Sequence, residues 1–268
     1  MKSIIFSLVI YKHKLDELKE LFQNFIQFEN YALSNGINST FLINDNSPFV
    51  SKEIVDYISK KNISYRFNNC NLGYGKSHNY NLIRSNSFDK DDVFIIINPD
   101  ILFEYKSLFA FINEFSKSKE VCRAPLIVNI KGEIQYSAKN NPSFLSLLIG
   151  RAQILRKIAF LNKFYEKHIN YQADYKNNRI CCPYLSGCFL IIGCEAFKKI
   201  KGFDERFFLH FEDADLTRKC YLIGDVMHDP SCTVIHKWAR GSHKSLIQTF
   251  HLLISMFKYF SKWGLKII

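Results

Sequence analysis

Ser3–Ile10 is an unbroken apolar run rich in β-branched residues, the pattern of a strand buried on both faces. Leu15, Leu18, Phe22, Phe25 and Ile26 then recur at helical spacing and predict an amphipathic helix. A short strand over Phe41–Asp45 runs into Asp45-Asn46-Ser47-Pro48, a strong turn signal. The pattern continues with a helix over Glu53–Ser59, a strand over Ile63–Phe67 and a helix after Gly75. Val93–Ile97 is a third buried strand, ended by Asn98-Pro99-Asp100, and is followed by a helix over Lys106–Phe115 and a strand over Val121–Val128. This β-α-β-α order predicts a mostly parallel sheet with ligands at the carboxyl ends of its strands.

The second half is less regular. Phe144–His168 reads as one helix with apolar and basic positions interleaved, and Asp174–Arg179 as a polar loop. Tyr184–Ile192 reads as a strand with Ser186-Gly187 in its middle, where a bulge, a close ligand approach or plain packing each explain the glycine. Val226–His228 and Thr233–His236 are short strands, and Leu246–Trp263 is a final amphipathic helix. On that helix Phe250, Leu253, Ile254, Phe257 and Phe260 are expected on one face. No repeat, low-complexity tract or interdomain linker interrupts the chain.

Composition narrows the classes. A chain of 268 residues, 47% of them hydrophobic, is not generally disordered and fits one large α/β domain or two small ones. No apolar run approaches the roughly 18 to 20 residues that span a bilayer. The start, MKSIIFSLVIYKHK, has no small-residue cleavage site and reads as a first strand, so a cytoplasmic protein is expected. The eight cysteines include the adjacent Cys181-Cys182 but no CxxC pair, which argues against both a disulfide framework and a zinc site. A net charge of +11 implies an anionic partner: nucleotide phosphates, anionic lipid or nucleic acid.

Against that charge, the stretch Lys201–Arg218 gathers Asp204, Glu205, Glu212, Asp213 and Asp215, five of the chain's 25 acidic residues. Phe203, Phe207, Phe208, Leu209 and Phe211 stand between them, as in a cleft whose apolar wall partly desolvates its carboxylates. The plain reading of Glu212-Asp213 is a capped helix start. Asn71-Leu72-Gly73-Tyr74-Gly75 is a glycine loop before a helix that carries Asn79, suited to a close approach of phosphate or ribose, or else a simple turn. His78 stands where a dinucleotide fingerprint needs its third glycine. Asp100 ends a buried strand, where a carboxylate either binds a hard cation or forms a turn; His236 ends another. Arg240, His243 and Lys244 form a basic loop able to neutralise a diphosphate, or a solvated turn.

Taken in order, these segments resemble the family 2 glycosyltransferases of the GT-A fold, in particular the rhamnosyltransferase-like branch of bacterial surface polysaccharide assembly. The resemblance rests on VIYK at the first strand, INDNS at Ile43–Ser47, NLGYGKSHN at Asn71–Asn79 and INPDI at Ile97–Ile101. It continues through LSGCFLI at Leu185–Ile191, GFDERFFLHFEDADLTRK at Gly202–Lys219 and VIHKWARGSHKS at Val234–Ser245. It implies an α/β GT-A domain over residues 1–245, with a nucleotide-binding half to about residue 130, an acceptor-binding half beyond it, and a C-terminal helix over 246–268. Asp45 would recognise the donor's base, and Asn71 and Gly73 would line the nucleotide pocket, with Tyr11, Asn79, Asn98 and Arg240 completing the donor site. Ser186 and Gly187 would meet the acceptor. Asp100 stands for the last acid of the family's DxD motif, Asn98 replaces the first, and His236 would complete a site for Mg2+ or Mn2+. Asp213 matches the base of inverting members, with Glu212 beside it.

The resemblance thus implies transfer of a sugar, rhamnose from dTDP-rhamnose first, to a glycan on a polyprenyl diphosphate lipid. Peripheral contact of the two basic-apolar helices with an anionic membrane follows from such an acceptor; domain packing or a homodimer interface is the other reading of those helices. A UDP-hexose or UDP-galactofuranose donor is the alternative within the fold, and a dinucleotide-dependent oxidoreductase the alternative outside it. Nucleic acid is not an expected partner, because charge alone suggests it and the acidic Gly202–Lys219 segment has no part in such binding.

Overall fold

A computed structural model of the chain describes residues 1–85, 89, 91–237 and 246–268, save the side chains of residues 153 and 246–248. The first half alternates as its pattern predicts: β1 (Ser3–Ile10), α1 (Leu15–Ser34), β2 (Asn38–Asp45), α2 (Lys52–Ile58), β3 (Ile63–Phe67), α3 (Tyr74–Arg84) and β4 (Val93–Ile97). α1 opens where the Lys14 N–H donates to the Glu17 carboxylate at 2.7 Å, with Asp16 and Glu17 at its positive end. Its inner face buries Leu18, Leu21, Phe22, Phe25 and Phe28 against β1 and β2. Each such side chain contributes about 1.5–3 kcal/mol by leaving water, so Phe25→Ala alone would cost about 3–5 kcal/mol.

β5 (Ile101–Phe103), α4 (Tyr105–Lys117) and β6 (Cys122–Val128) follow, then β7 (Ala138–Lys139), α5 (Phe144–Arg151) and α6 (Ala159–His168). The chain closes with β8 (Ile180–Cys181), β9 (Tyr184–Leu185), β10 (Phe189–Gly193), α7 (Cys194–Lys199), α8 (Glu212–Tyr221), β11 (Val226–His236) and α9 (Leu246–Trp263). Among the described residues nine strands form one sheet in the order β3-β2-β1-β4-β10-β6-β11-β5, with β8 also on β11. β1 to β4 are parallel, whereas β10 runs against both β4 and β6. α1, α2 and α4 cover one face of the sheet and α3, α7 and α8 the other. The carboxyl ends of β1, β2, β4, β6 and β11 therefore share one edge with the start of β10.

Three elements depart from the sequence pattern. The helix expected over Phe144–His168 is two, α5 and α6, joined by a 3-10 turn over Gln153–Lys157. Ala152 leaves helical geometry at ψ 80°, and Gly150 lets Tyr165 lie so close that a Cβ there would stand 3.0 Å from its ring. Folding back brings the α6 residue Tyr165 onto α5 at Gly150, while Ile154, Ile158 and Phe160 stay exposed. The strand expected over Tyr184–Ile192 breaks at Ser186-Gly187 into β9 and β10, and the two short strands after it are one, β11, bulged between Asp229 and Thr233.

α9 packs on the segment that carries Glu212 and Asp213. Tyr259 and Phe260 pack with Phe207, Phe211 and Ala214, and the Ser255 hydroxyl donates to the Leu209 carbonyl at 2.7 Å. Lys262 pairs with Asp204 at 2.8 Å and Asp215 at 2.7 Å, and the Trp263 indole N–H donates to Asp215 at 2.7 Å. The expected single apolar face is thus divided: Phe260 faces the core, while Phe250, Leu253 and Phe257 face out, 62%, 52% and 74% exposed.

Candidate functional site

Five loops meet at the carboxyl edge of the sheet. The one ending in Glu212-Asp213 is the most constrained. His210 and Phe211 both hold left-handed backbone, with φ of 69° and 66°, immediately before α8 begins. Two such residues without glycine cost about 1–3 kcal/mol each. The Phe211 ring, buried against Tyr259 and Phe260, offsets that cost. The pair at the helix start then separates. Glu212 is buried, with one carboxylate oxygen lacking a partner, and burial with the neighbouring Asp213 charge pushes its pKa up to about 8. Asp213 is half-exposed and turned to the break between β9 and β10. It accepts the Gly187 N–H at 2.9 Å, its own helix's Ala214 N–H at 2.8 Å and the Tyr184 hydroxyl at 3.4 Å.

Gly187 links this carboxylate to the end of β4. Its carbonyl lies 2.7 Å from the Tyr74 hydroxyl, which is 2.9 Å from the Asn98 side-chain oxygen. Tyr74 is the first residue of α3, and burial holds its phenol well above the usual range. Ser186 uses its N–H on the Ser137 carbonyl. One turn beyond Asn98, the Asp100 carboxylate is 3.2 Å from His236 Nε2. His236 Nδ1 is 2.7 Å from Gln135 Oε1. Burial works against the charged imidazole, but bonds to Asp100 and Cys188 outweigh it and lift the pKa to about 10. Two residues far apart in sequence, expected as cation ligands, are therefore neighbours.

The other expected donor residues divide. Tyr11 is exposed at the end of β1. Asp45 is buried, accepting the Tyr65 hydroxyl at 2.6 Å and the Ser47 N–H at 2.8 Å, so it organises the turn after β2. Asn71 accepts the Gly73 N–H at 3.0 Å. Gly73, at φ 82°, has to be glycine because a Cβ would stand 2.7 Å from the Phe208 carbonyl oxygen. Asn79 turns away from the cleft: its amide holds both the N–H and the carbonyl of Phe203, at 2.8 and 2.9 Å. Its spacing from the glycine loop suggested a ligand contact, whereas it ties α3 to the acidic segment. Arg240, with His243 and Lys244, lies outside the described residues.

Sequence reasoning did not single out Tyr74, Tyr184, Gln135 or Lys139. Tyr74 had a signal, an aromatic between two glycines at a helix start. The other three are joined to the site only by tertiary contact. Among the described residues no group of three or more His, Cys, Asp or Glu could hold a metal ion.

No protein-family model matches the chain. Over 186 residues it is 28% identical to an N-acetylglucosaminyl-diphospho-decaprenol L-rhamnosyltransferase of Mycobacterium tuberculosis, covering 64% of this chain and 58% of that one. The chain thus spans less than two thirds of that relative's length. Over 201 residues it is 24% identical to the rhamnosyltransferase WbbL of Escherichia coli strain K12, covering 70% of this chain and 71% of that one. Among solved structures it superposes on GalNAc-T7 bound to UDP, GalNAc and Mn2+ with a TM-score of 0.64 at 14% identity, covering 88% of this chain and 43% of that one. It superposes on residues 1–349 of S. aureus TarS with a TM-score of 0.54 at 15% identity, covering 88% and 60%. The chain therefore has the GT-A fold, and in sequence it is similar to rhamnosyltransferases of the family 2 type.

Proposed function

We propose that this chain is an inverting glycosyltransferase that moves a sugar from a nucleotide diphosphate to a hydroxyl of a lipid-linked glycan, with dTDP-rhamnose the first donor to try. The observation that carries the reading is the posture of Asp213, held by the Gly187 N–H at 2.9 Å on the strand edge that also carries Asn98, Asp100 and His236. The names of the sequence relatives support rhamnose as the sugar, and the mycobacterial name supports an N-acetylglucosaminyl diphospho-lipid as acceptor. In this reading Asp213 takes the proton of the acceptor hydroxyl as its oxygen bonds to the anomeric carbon. The bond from that carbon to the diphosphate oxygen breaks on the opposite face, and configuration inverts. Glu212, protonated at neutral pH, supports the loop without competing for that proton.

Asp100 and His236 would hold a divalent cation, Mg2+ or Mn2+. One carboxylate and one imidazole in contact fit such an ion once the imidazole gives up the proton it shares with Asp100, with diphosphate oxygens and water supplying the remaining ligands. When bound, it neutralises charge on the leaving diphosphate. A UDP-sugar donor is the second reading, because both solved neighbours are described with UDP.

No helix among the described residues is long and apolar enough to cross a membrane. Peripheral contact with anionic lipid is proposed instead, through the outer faces of α5 and α9. Phe144, Leu148, Phe250, Leu253 and Phe257 are exposed there, with Arg151 and Lys258 on the same two helices. This reading is preferred to a homodimer because an apolar face rimmed by cations complements anionic lipid better than a second copy of itself.

Calorimetry with dTDP, UDP and GDP, with and without Mn2+, tests the enzyme reading. One nucleotide should bind in a cation-dependent way, and Asp100→Ala should weaken it at least about tenfold, the loss expected for one charge-assisted contact. Binding of none of them under any condition would refute the function; full wild-type activity in excess EDTA would remove the cation from it.

A further inference from the structure

We propose that Lys139, with Lys266, holds the diphosphate of the lipid-linked acceptor, and that Phe144, Leu148, Leu265 and Ile267 begin the path of its polyprenyl chain. The inference rests on the transferase reading above and deepens it by assigning the acceptor's anionic and apolar parts to residues.

An acceptor of that chemistry needs three things in line: a base at the hydroxyl, a cation on the far side of one sugar ring, and an apolar exit. Tyr184 spans the first interval. Its hydroxyl donates to Asp213 at 3.4 Å, and the Lys139 ammonium lies over its ring, 4.8 Å from the centroid. One tyrosine between base and cation is the scale of one pyranose ring. Lys139 is delivered there by pairing of β7 with β9, in which Lys139 stands opposite Tyr184 itself.

Its surroundings are those of a cation that has a ligand to meet. No described carboxylate pairs with its ammonium, whereas Lys219 and Lys262 both reach Asp215. Burial pulls its pKa down, with the charge of Asp213 acting the other way. Beside it, His168 packs 6.1 Å from the Tyr184 ring, nine-tenths buried, and its Nδ1 has no hydrogen-bond partner. Burial and then the charges of Lys139 and Lys266 drive the His168 imidazole to a pKa of about 3, so both lysines act on the same spot. An arriving diphosphate would neutralise both and could accept from the imidazole.

The apolar exit adjoins this spot. The Phe144 and Leu145 N–H groups, free of helical partners at the start of α5, donate to the carbonyls of Lys266 and Ile267 at 2.8 and 3.1 Å. That clamp lays the segment after α9 along α5 and sets Lys266 between exposed apolar side chains: Phe144 is 43% exposed, Leu148 46%, Leu265 64% and Ile267 63%. A cation bordered by exposed Leu, Ile and Phe suits a diphosphate whose other end is hydrocarbon. The donor diphosphate is the competing occupant, and the donor KM in the test below separates the two.

The test compares wild-type protein and Lys139→Met on two acceptors, N-acetylglucosaminyl-diphospho-farnesol and octyl N-acetylglucosaminide, which lacks the phosphates. KM for the diphosphate acceptor should rise about ten- to hundredfold, the loss of a charged contact. KM for the octyl glycoside and for the donor should change less than about twofold. Lys139→Arg should recover part of the loss. An equal loss on both acceptors would mean that Lys139 acts on Asp213 and would overturn the proposal, as would a rise confined to donor KM or no change at all. Should Lys139→Met fail to fold, Lys266→Ala, at an exposed position, must show the same selectivity on a smaller scale. If wild-type protein transfers sugar to neither acceptor, the transferase reading fails, and calorimetry with farnesyl diphosphate decides the site by itself. Binding at least about tenfold weaker in the variant upholds it, and equal or absent binding by the wild type refutes it.

Discussion

Gly187 and Asp213 touch at the centre of the cleft: the Gly187 N–H donates to Asp213 Oδ2 at 2.9 Å, and a Cβ on residue 187 would stand 2.8 Å from Asp213 Cβ. The glycine is therefore required by the carboxylate it orients. The break in the strand after β9 exists to make this contact, since an unbroken ladder would commit the same N–H to a neighbouring strand.

Gly187→Ala should move Asp213 by the few tenths of an ångström needed to relieve the contact, or more. Sugar transfer should fall by up to about 10²-fold, as misplacement of a reacting group does. Nucleotide affinity should be retained, because Gly187 reaches the expected donor residue Asn98 only through the Tyr74 hydroxyl. Steady-state rates with calorimetry on the same sample check both parts, and wild-type turnover would remove Gly187 from the site.

Asp213→Asn and Glu212→Gln should behave in opposite ways. The first removes the basic lone pair, and transfer should drop at least about 10²-fold with donor binding intact. The second replaces an acid that is already neutral, so activity at pH 7 should stay within a few-fold. It should also stabilise the fold. Glu212 has a folded pKa near 8 against 4.5 unfolded, so native protein holds a proton that unfolded chain releases, and stability falls as pH rises through that window. Denaturant midpoints of Glu212→Gln should therefore gain steadily on wild type as pH rises through that window.

His78 and His168 predict a loss of stability on the acid side. Burial lowers both to about 3, against an ordinary 6.5. Their stabilising effect is complete above pH 6.5 and is lost as pH falls, at about 1.4 kcal/mol per unit for each. His228 shifts in the same direction, while His236, charged in the fold, adds no slope below pH 6.5. Urea unfolding between pH 6.5 and 5 should show the decline, and His168→Gln should make it shallower. A flat profile would mean that these imidazoles reach water.

Much of this was legible in the order of residues, and the failures share a cause. β1, β2 and β4 were readable because strands buried on both faces are continuous apolar runs. Asp213 and Asp100 drew notice as candidates because acids at element ends stand out in an apolar context. The break at Ser186-Gly187, the turn at Ala152 and the β7–β9 pair were not, because each is decided by a partner distant in sequence: Asp213, Tyr165 and Lys139 opposite Tyr184. The bonds of Asn79 to Phe203 were hidden for the same reason. The position of Asn79 marks a helix beside a glycine loop, and only the folded chain brings the Phe203 backbone to its amide.

The two faces of α9 can be separated by substitution. Phe250 and Phe257 point outward with Leu253, whereas Phe260 packs against the loop that carries Glu212 and Asp213. Phe250→Ser with Phe257→Ser removes apolar area that faces out of the fold, so sedimentation with anionic vesicles should fall while the melting temperature holds. Added salt should weaken wild-type binding as well, since each lysine near the surface contributes about 1 kcal/mol on anionic lipid. Phe260→Ser should do the reverse. Emptying a core aromatic site costs about 3–5 kcal/mol, so the melting temperature should drop, and turnover should drop with it as the His210-Phe211 turn loses its support. If the outer pair lowers the melting temperature and leaves vesicle binding unchanged, that face is covered by protein, and the lipid reading is wrong.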